Sequence, residues 1–301
     1  MNAGGQGADR SNESVADARA LFVLGAPRSG TTLIGNYLAS GPSVLNLGEY
    51  GGFHLAHNVA PASLGAIPGS FRDPYLRDLV THAQWFAEGL TAAHGKDWYC
   101  DTTPWNILAA DRIAADIPDA LFVLMLRHYS GTIQSLRRSF ESGFGWAGAT
   151  WADSAGVWAG AYQAAVALPA ERTLAVSYEG LCADPAATLD LINRWMEQHG
   201  YPTDGLDVGQ LTISHAPPSS GPRPTVAVRV DDAVELRPIA SFDPLCWSGD
   251  IHRMVWPVVE DVHRRLSAQF ASTYVRPSPP PRMWIHHDVY GLVPAELDGN
   301  W

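Results

Sequence analysis

Residues 21–32, LFVLGAPRSGTT, place an apolar run, a glycine-bounded loop and the start of a helical pattern in direct succession. The run from Leu21 to Leu24 is typical of a strand buried on both faces of a sheet. Gly25 and Gly30 permit the tight turn that follows, and backbone amides entering a helix point towards an anion. The stretch therefore predicts a strand–loop–helix unit whose loop binds a phosphate-type group.

The loop has the glycine spacing of a nucleotide-triphosphate loop, but Thr31 stands where that loop has its lysine. The cation is instead Arg28, inside the loop. Hydroxyl donors come from Ser29, Thr31 and Thr32. The next long apolar run ends in Arg127, so no acidic residue closes it to hold magnesium. These features favour a metal-free site for a doubly charged group and disfavour a kinase.

Apolar runs at 21–25, 120–126 and 173–177 predict buried strands, and weaker runs lie at 43–46 and 97–101. Helical patterns fall between the runs, with apolar stripes within 33–38, 133–140, 151–165, 189–196 and 255–266. The alternation predicts an α/β class and a P-loop-like three-layer fold, with a mostly parallel central sheet flanked by helices. Ligands bind such sheets at the carboxyl ends of the strands.

The 301-residue chain divides into three predicted parts. Residues 1–19 have neither a basic start nor an apolar stretch, which predicts a disordered tail and no secretory signal. Residues 20–275 form the predicted single domain. Residues 276–301 are broken by prolines and predict an extended arm that packs on the body or on the partner subunit of a homodimer.

The net charge of −11 disfavours nucleic acid and anionic membranes as partners. No window approaches the roughly 20 apolar residues of a membrane span. The three cysteines are widely spaced, so they predict neither a disulfide framework nor a metal site, and they favour a reducing cytoplasm. His286 and His287 beside Asp288 are interpreted as a non-metal pair, because adjacent residues rarely chelate one ion.

Three segments carry a resemblance to one family. PRSGTTL, Pro27 to Leu33, resembles the 5′-phosphosulfate loop of sulfotransferases that use 3′-phosphoadenosine 5′-phosphosulfate (PAPS). LRHYSGTIQS resembles their 3′-phosphate element, with Arg127 at a strand end and Ser135 eight residues later. VSYEGLCADPAATL is similar to a stretch common in bacterial sulfotransferases, which implies that Tyr178 lies near the nucleotide; the alternative is that Tyr178 only packs.

The resemblance implies PAPS as donor, 3′,5′-adenosine bisphosphate (PAP) as product, and no metal. The favoured acceptor is a small-molecule alcohol or phenol, such as a secondary metabolite, and a carbohydrate or a peptide tyrosine is the alternative. The 5′-phosphosulfate would be held by Arg28, Ser29, Gly30, Thr31 and Thr32, and the 3′-phosphate by Arg127 and Ser135. A late loop, PPSSGPRP, offers weaker candidates for the adenosine phosphates: Ser219, Ser220, Gly221 and Arg223.

The acceptor hydroxyl needs a base. Glu49 lies 21 residues after Arg28 in a Gly-Glu pair, which looks like the base of tyrosylprotein sulfotransferases and related bacterial enzymes. His54 and His57 follow closely and are the next candidates. A surface or helix-capping role for Glu49 is the alternative.

One position departs from the family pattern. Thr102 stands two residues before the proline of DTTPW, where related enzymes carry a lysine that contacts the bridge to the sulfate. Either Arg28 suffices, or Arg223 or Arg229 replaces the lysine, or the activity is altered. Asp101 could touch the substrate instead. A PAPS- or PAP-binding protein without catalysis is therefore an alternative function.

Tryptophans are frequent in the middle of the chain. The glycine-rich segment SGFGWAGATW, residues 142–151, predicts a mobile loop near an aromatic acceptor pocket. The alternative is that most of these indoles belong to the core and that the loop is ordinary.

Overall fold

The computed structural model describes residues 18–57, 68–165, 167–210, 249–270 and 273. Beyond these ranges, four short strand segments are described by backbone pairing alone: β6 (Arg229–Val230) with β7 (Ala233–Val234), and β8 (Trp284–His287) with β9 (Gly291–Pro294).

Five strands form the central sheet: β1 (Arg19–Gly25), β2 (Val44–Gly48), β3 (Trp98–Asp101), β4 (Leu121–Leu126) and β5 (Thr173–Ser177). Their order is β2-β3-β1-β4-β5, and every pairing is parallel. The five apolar runs of the sequence are these five strands. Because β1 is central, the loop that leaves it opens at the middle of the carboxyl edge.

The sheet carries a hydrophobic core on each face, because side chains alternate along a strand. Phe22 and Leu24 of β1 belong to one core, where the Phe22 ring lies 5.0 Å from Phe53. Leu21 and Val23 belong to the other core. Helices cover both faces, which confirms the predicted α/β fold with a parallel sheet between helical layers.

Nine α-helices lie within the described residues: α1 (Thr31–Leu38), α2 (Gly52–His57), α3 (Gly69–Ala93), α4 (Ala110–Asp116), α5 (Tyr129–Glu141), α6 (Trp151–Ala165), α7 (Tyr178–Ala183), α8 (Pro185–Gln198) and α9 (Gly249–Gln269). Short 3₁₀ turns occupy 104–109, 145–147, 170–172 and 208–210.

Helix α8 shows how local sequence sets an element. The Asp184 carboxylate accepts a hydrogen bond of 2.9 Å from Ala187 N, and Pro185 fills the first helical position. Gly200 follows the last turn with a φ of 73°, which glycine adopts without strain. These residues set both ends of the helix, and the apolar stripe within 189–196 forms its buried face.

The 25-residue helix α3 has no counterpart among the predicted elements. Most of its side chains are exposed, and only the narrow stripe of Val80, Ala83, Ala87 and Thr91 is buried. Pro74 stands near its start, where proline normally argues against a continuing helix. The sequence signal of this helix is therefore weak.

Several predictions lie outside the described residues. They concern the tail before residue 18, the late loop with Ser219, Ser220, Gly221 and Arg223, and the side chains of Arg229, His286 and His287. The structure gives the 276–301 segment only as the backbone hairpin of β8 and β9. The first strand begins at Arg19, one residue before the predicted start of the domain.

Candidate active site

The predicted site residues lie at the carboxyl ends of all five central strands. In sheet order they are Glu49 after β2, Asp101 ending β3, Arg28 after β1, Arg127 after β4 and Tyr178 after β5. The glycine loop is thus in the middle, with two carboxyl groups on one side and an arginine and a tyrosine on the other. Two chemically different halves share one edge.

The loop after β1 is compact. Ser29 N donates a 3.0 Å hydrogen bond to Ala26 O, and the Ser29 side chain is fully buried. A Cβ on Gly25 would lie 2.3 Å from Ser29 Oγ, so this position requires glycine. Sequence reasoning expected Ser29 as a ligand, but its hydroxyl lies inside the loop.

Arg28 and Gly30 both have positive φ, at 75° and 99°. This conformation is unusual for arginine and occurs mainly where surrounding contacts enforce it. It brings the chain into α1 at Thr31, which is buried, with Thr32 partly exposed beside it. The first amides of α1 and its dipole consequently favour an anion at this point.

Arg28 meets the predicted 3′-phosphate residues directly. Its Nε donates to Ser135 Oγ at 3.1 Å, and Arg127 Nη1 donates to the Arg28 carbonyl at 2.7 Å. Sequence reasoning assigned Arg28 to one phosphate and the other two residues to a second phosphate. In the structure Arg28 contacts both Arg127 and Ser135, so the two predicted phosphate sites adjoin.

Tyr178 closes the other side of the arginine pair. The Arg127 guanidinium carbon lies 4.1 Å from the centre of the Tyr178 ring, in a cation–π contact. The same ring lies so close to Gly30 that a Cβ there would be 2.8 Å from it. Tyr178 therefore fixes both the glycine loop and Arg127.

The two guanidinium groups create a local excess of positive charge. Burial, and then the charge of Arg127, lower the pKa of Arg28, although arginine stays protonated in proteins. Arg127 Nε is buried and makes no hydrogen bond within the described part of the chain. A cleft with repelling cations and a buried unused donor suits an anionic ligand.

Glu49 lies on the opposite side of the loop and keeps contact with solvent. Partial burial, followed by the charge of Asp101, raises the pKa of Glu49, and Arg28 acts in the opposite direction. Glu49 therefore lies within electrostatic reach of the glycine-loop cation. A carboxylate with a raised pKa is a stronger base than an ordinary one.

Asp101 is fully buried at the end of β3. Its Oδ1 accepts a hydrogen bond of 2.8 Å from Thr103 N, and burial raises its pKa. Thr103 Oγ1 in turn accepts from Gly51 N at 2.9 Å, beyond Glu49 in the chain. This chain of contacts ties the Glu49 turn to the end of β3.

An aromatic cluster lies beyond Glu49. His54 Nδ1 is 3.0 Å from Trp105 O, so Nδ1 carries the proton and Nε2 is the acceptor in the neutral ring. Burial lowers the pKa of His54. The Trp105 and Trp146 rings are perpendicular with centres 5.7 Å apart, and Trp146 is 43% exposed. The side chain of His57 lies outside the described set.

The loop that carries Trp146 is held by several hydrogen bonds. Ser154 Oγ donates to Ala147 O and Arg137 Nη1 donates to Gly148 O, both at 2.7 Å. Trp158 and Tyr162 belong to the core, as the alternative interpretation of the tryptophans predicted, whereas Trp146 remains partly exposed.

Thr102 packs inwards against α1. A Cβ on Gly35 would lie only 2.0 Å from Thr102 Cγ2, and Thr102 is almost fully buried. The position of the expected lysine is thus occupied by a short side chain. Arg28, in the glycine loop, is a cation whose charge lowers the pKa of Glu49.

Three residues at the site, buried Trp158 and Tyr162 and half-buried Glu179, were not predicted as functional. Tyr162 Oη accepts from Arg127 N at 3.1 Å, Trp158 Nε1 donates to Arg127 O at 3.1 Å, and Glu179 Oε1 accepts from His128 N at 3.0 Å. The helical spacing of Trp158 and Tyr162 indicates a core stripe, and only their polar tips distinguish them. Glu179 could have been found from its position beside Tyr178.

The described residues contain no group of three or more His, Cys, Asp or Glu side chains able to hold a metal ion. Within the same ranges, no helix combines the length and apolarity needed to cross a membrane.

A model of the sulfotransferase family matches residues 20–200, more than half of the chain. No curated protein matches the chain.

Solved structures with weak similarity are also sulfotransferases. A domain of the Synechococcus PCC 7002 olefin synthase has 17% identity and a TM-score of 0.46, and the match covers 82% of this chain and 96% of that one. STF1 of Mycobacterium tuberculosis H37Rv has 18% identity and a TM-score of 0.44, over 64% and 70%. A sulfotransferase of Alicyclobacillus acidocaldarius has 14% identity and a TM-score of 0.45, over 83% and 95%.

Proposed function

The chain belongs to the sulfotransferase family, and from this premise we propose that it moves a sulfuryl group from PAPS to a hydroxyl of a small-molecule acceptor. The proposal rests above all on the order of residues along the carboxyl edge. Arg127 and Tyr178 lie on one side of the glycine loop that carries Arg28, and Glu49 lies on the other. A donor phosphate and an acceptor would therefore approach the loop from opposite sides, as in-line transfer requires.

On the donor side, the amides at the start of α1 and Arg28 hold the 5′-phosphosulfate, with Thr31 and Thr32 at the helix start. Arg127 and Ser135 hold the 3′-phosphate, and Tyr178 supports Arg127. The unused Arg127 Nε and the mutual repulsion of the arginines fit such a dianion. PAP leaves with the electron pair of the broken sulfur–oxygen bond, and Arg28 stabilises its new charge.

On the acceptor side, Glu49 accepts the proton of the hydroxyl as its oxygen forms the new bond to sulfur. The exposed edge of Trp146 and the Trp105 ring favour an acceptor with an aromatic or apolar body. A phenol or an alcohol of secondary metabolism has both the hydroxyl that Glu49 would deprotonate and the aromatic or apolar body. His54 is the alternative base, since Nε2 is the basic nitrogen of its neutral ring when Nδ1 donates to Trp105 O.

A second function is kept because of Thr102. Without the family lysine, the chain could bind PAPS or PAP without turnover. Catalysis is favoured because Glu49 keeps a raised pKa within reach of Arg28. Turnover of PAPS with a panel of phenols and alcohols distinguishes the two functions.

The first test is calorimetric titration with PAP, with ATP and magnesium in parallel. We expect micromolar binding of PAP without metal and little response to ATP. Preference for ATP with magnesium, or no binding of either, would overturn the donor assignment.

The base is tested by Glu49→Gln, which keeps the size and removes the basic oxygen. We expect turnover to fall about 100-fold or more, because general-base catalysis contributes at least that much, while PAP affinity stays unchanged. Glu141→Gln, at an exposed position, is the matched control. A large loss in His54→Gln with little loss in Glu49→Gln would assign the base to His54.

A further inference from the structure

The backbone at the end of β4 is held by three side chains from other elements. Arg127 N donates to Tyr162 Oη, Trp158 Nε1 donates to Arg127 O, and His128 N donates to Glu179 Oε1, at 3.0 to 3.1 Å. We call Trp158, Tyr162 and Glu179 the strand-end frame. Two of its members lie on α6 and the third lies on α7.

Burial makes these bonds costly to lose. Trp158 and Tyr162 are fully buried, and Arg127 is nearly so. The Tyr162 hydroxyl also donates to Met125 O at 2.7 Å, so one phenol satisfies a backbone group of β4 and the backbone N–H that follows the strand. A buried donor or acceptor left without its partner costs about 1–3 kcal/mol. The strand end is therefore fixed more firmly than sheet pairing alone would fix it.

Glu179 is the informative member of the frame. Burial raises its pKa, and the hydrogen bond from His128 N and the charge of Arg127 lower it. A negative charge next to a phosphate pocket would weaken phosphate binding by repulsion. The hydrogen bond to His128 N explains why a carboxyl group is nevertheless present there.

We propose that the strand-end frame positions the Arg127 guanidinium and thereby sets the preference for nucleotides that carry a 3′-phosphate, an inference that rests on the proposed function. The outer end of the Arg127 side chain is fixed by the Arg28 carbonyl and the Tyr178 ring. The frame fixes its backbone end. With both ends held, the guanidinium keeps one position, and a shift of about 1 Å is enough to weaken a charge-assisted contact strongly.

The test compares PAP with 5′-AMP, which lacks only the 3′-phosphate, by calorimetry on the full chain. In Glu179→Ala, we expect PAP affinity to fall about tenfold or more, as expected for an unsatisfied buried amide. The affinity for 5′-AMP should change less than about threefold, because the glycine loop has its own hydrogen bonds. Glu179→Gln keeps an acceptor oxygen for His128 N and should bind PAP at least as tightly as the wild type.

Trp158→Phe is the second variant, because it removes the donor to Arg127 O without touching the glycine loop. It should show the same selective loss, with a higher KM for PAPS and a largely unchanged kcat. Glu171→Ala, at an exposed glutamate before β5, is the matched charge control. Thermal unfolding verifies that each variant is folded; if Trp158→Phe is not, the two Glu179 variants decide.

Equal effects of Glu179→Ala and Glu179→Gln would assign Glu179 an electrostatic role and overturn the inference. So would parallel losses for PAP and 5′-AMP, or no loss at all. A wild-type protein that binds PAP no better than 5′-AMP would instead overturn the proposed donor site, and the inference with it.

Discussion

Asp101 and Glu49 lie within electrostatic reach of each other on the proposed acceptor side, where the family pattern would supply a lysine. Burial is the main cause that raises the Glu49 pKa, and the charge of Asp101 adds to it. A raised pKa keeps the carboxyl protonated, and so unable to act as base, over a wider acid range. Activity should therefore appear at a higher pH than an ordinary glutamate would give.

Asp101→Asn tests this coupling. Asparagine keeps an oxygen for Thr103 N but removes the like charge, so the Glu49 pKa should fall. We expect the acid limb of kcat/KM to move to lower pH, with the plateau above it nearly unchanged. The pH profile is the measurement, and Asp111→Asn, at an exposed position, is the control. An acid limb that stays in place would show that Asp101 does not influence the base.

A sequence motif identifies candidate residues where it names the atom that acts. Arg28, Arg127, Ser135 and Tyr178 are such candidates, and the structure places them in mutual contact. Their assignment to ligand atoms remains a prediction. The frame residues could not be predicted, because a tryptophan and a tyrosine at helical spacing indicate a core stripe whether or not their polar tips bind backbone.

At the scale of elements, α1 packs closely against the residue that follows β3, where Gly35 lies against Thr102. In Gly35→Ala, the new methyl group would overlap Thr102 Cγ2, so α1 must shift. We expect a loss of about 1–3 kcal/mol in the free energy of unfolding, as for other overpacked cores, measured by denaturant titration.

Adding Thr102→Ser to Gly35→Ala removes Cγ2 and should restore part of that stability. Gly156→Ala on α6 is the control, because nothing lies within 4 Å of its Cβ. Alanine there should be neutral, or stabilising by up to about 1 kcal/mol. Equal changes in stability at the two glycines would mean that the contact with Thr102 does not determine the effect of Gly35→Ala.

The strands were predictable as elements because both faces of each are covered, which produces continuous apolar runs. Helix α3 was not, since it buries only one narrow stripe and exposes residues such as Trp85 and Phe86. Helices α2 and α7, with six residues each, are also too short for their apolar residues to show a helical periodicity. Element prediction succeeded where burial was deep and failed where it was shallow.

At the scale of the whole molecule, the site depends on the complete sheet. The contact of Arg127 with the Arg28 carbonyl joins residues 99 apart in sequence, and that of Arg28 with Ser135 joins residues 107 apart. The sequence indicates that such segments belong to one site through the rule of carboxyl strand ends. It does not indicate which side chains touch, because that depends on strand order.

The protonation of His128, next to Arg127 in the proposed donor half, affects the stability of the whole fold. Burial, and then the charge of His263, lower its pKa well below 6.5. Below about pH 6.5, His128 binds a proton in the unfolded chain but stays neutral in the folded chain. The free energy of unfolding should therefore fall as the pH decreases through that range. Glu179 also faces this region through its bond to His128 N.

In His128→Asn, a side-chain oxygen can still cap α5 at Ser130 N, as His128 Nδ1 does, but no proton is taken up. We expect the variant to lose less Tm than the wild type between about pH 7 and pH 5. His82→Asn, at an exposed histidine, serves as the control. Identical slopes for wild type and His128→Asn would mean that His128 does not carry the acid sensitivity.

The absence of a lysine at position 102 has a practical consequence for bioconjugation. Lys96 is the only lysine in the sequence and lies in the turn that precedes β3, where its ammonium group donates to Pro42 O, just before β2. The Lys96 turn lies at the amino end of β3, opposite the edge that carries Arg28 and Arg127. An amine-reactive dye or surface linker thus has a single side-chain target, remote from the glycine loop, and the molecule can be tethered with the carboxyl edge of its sheet facing the solution.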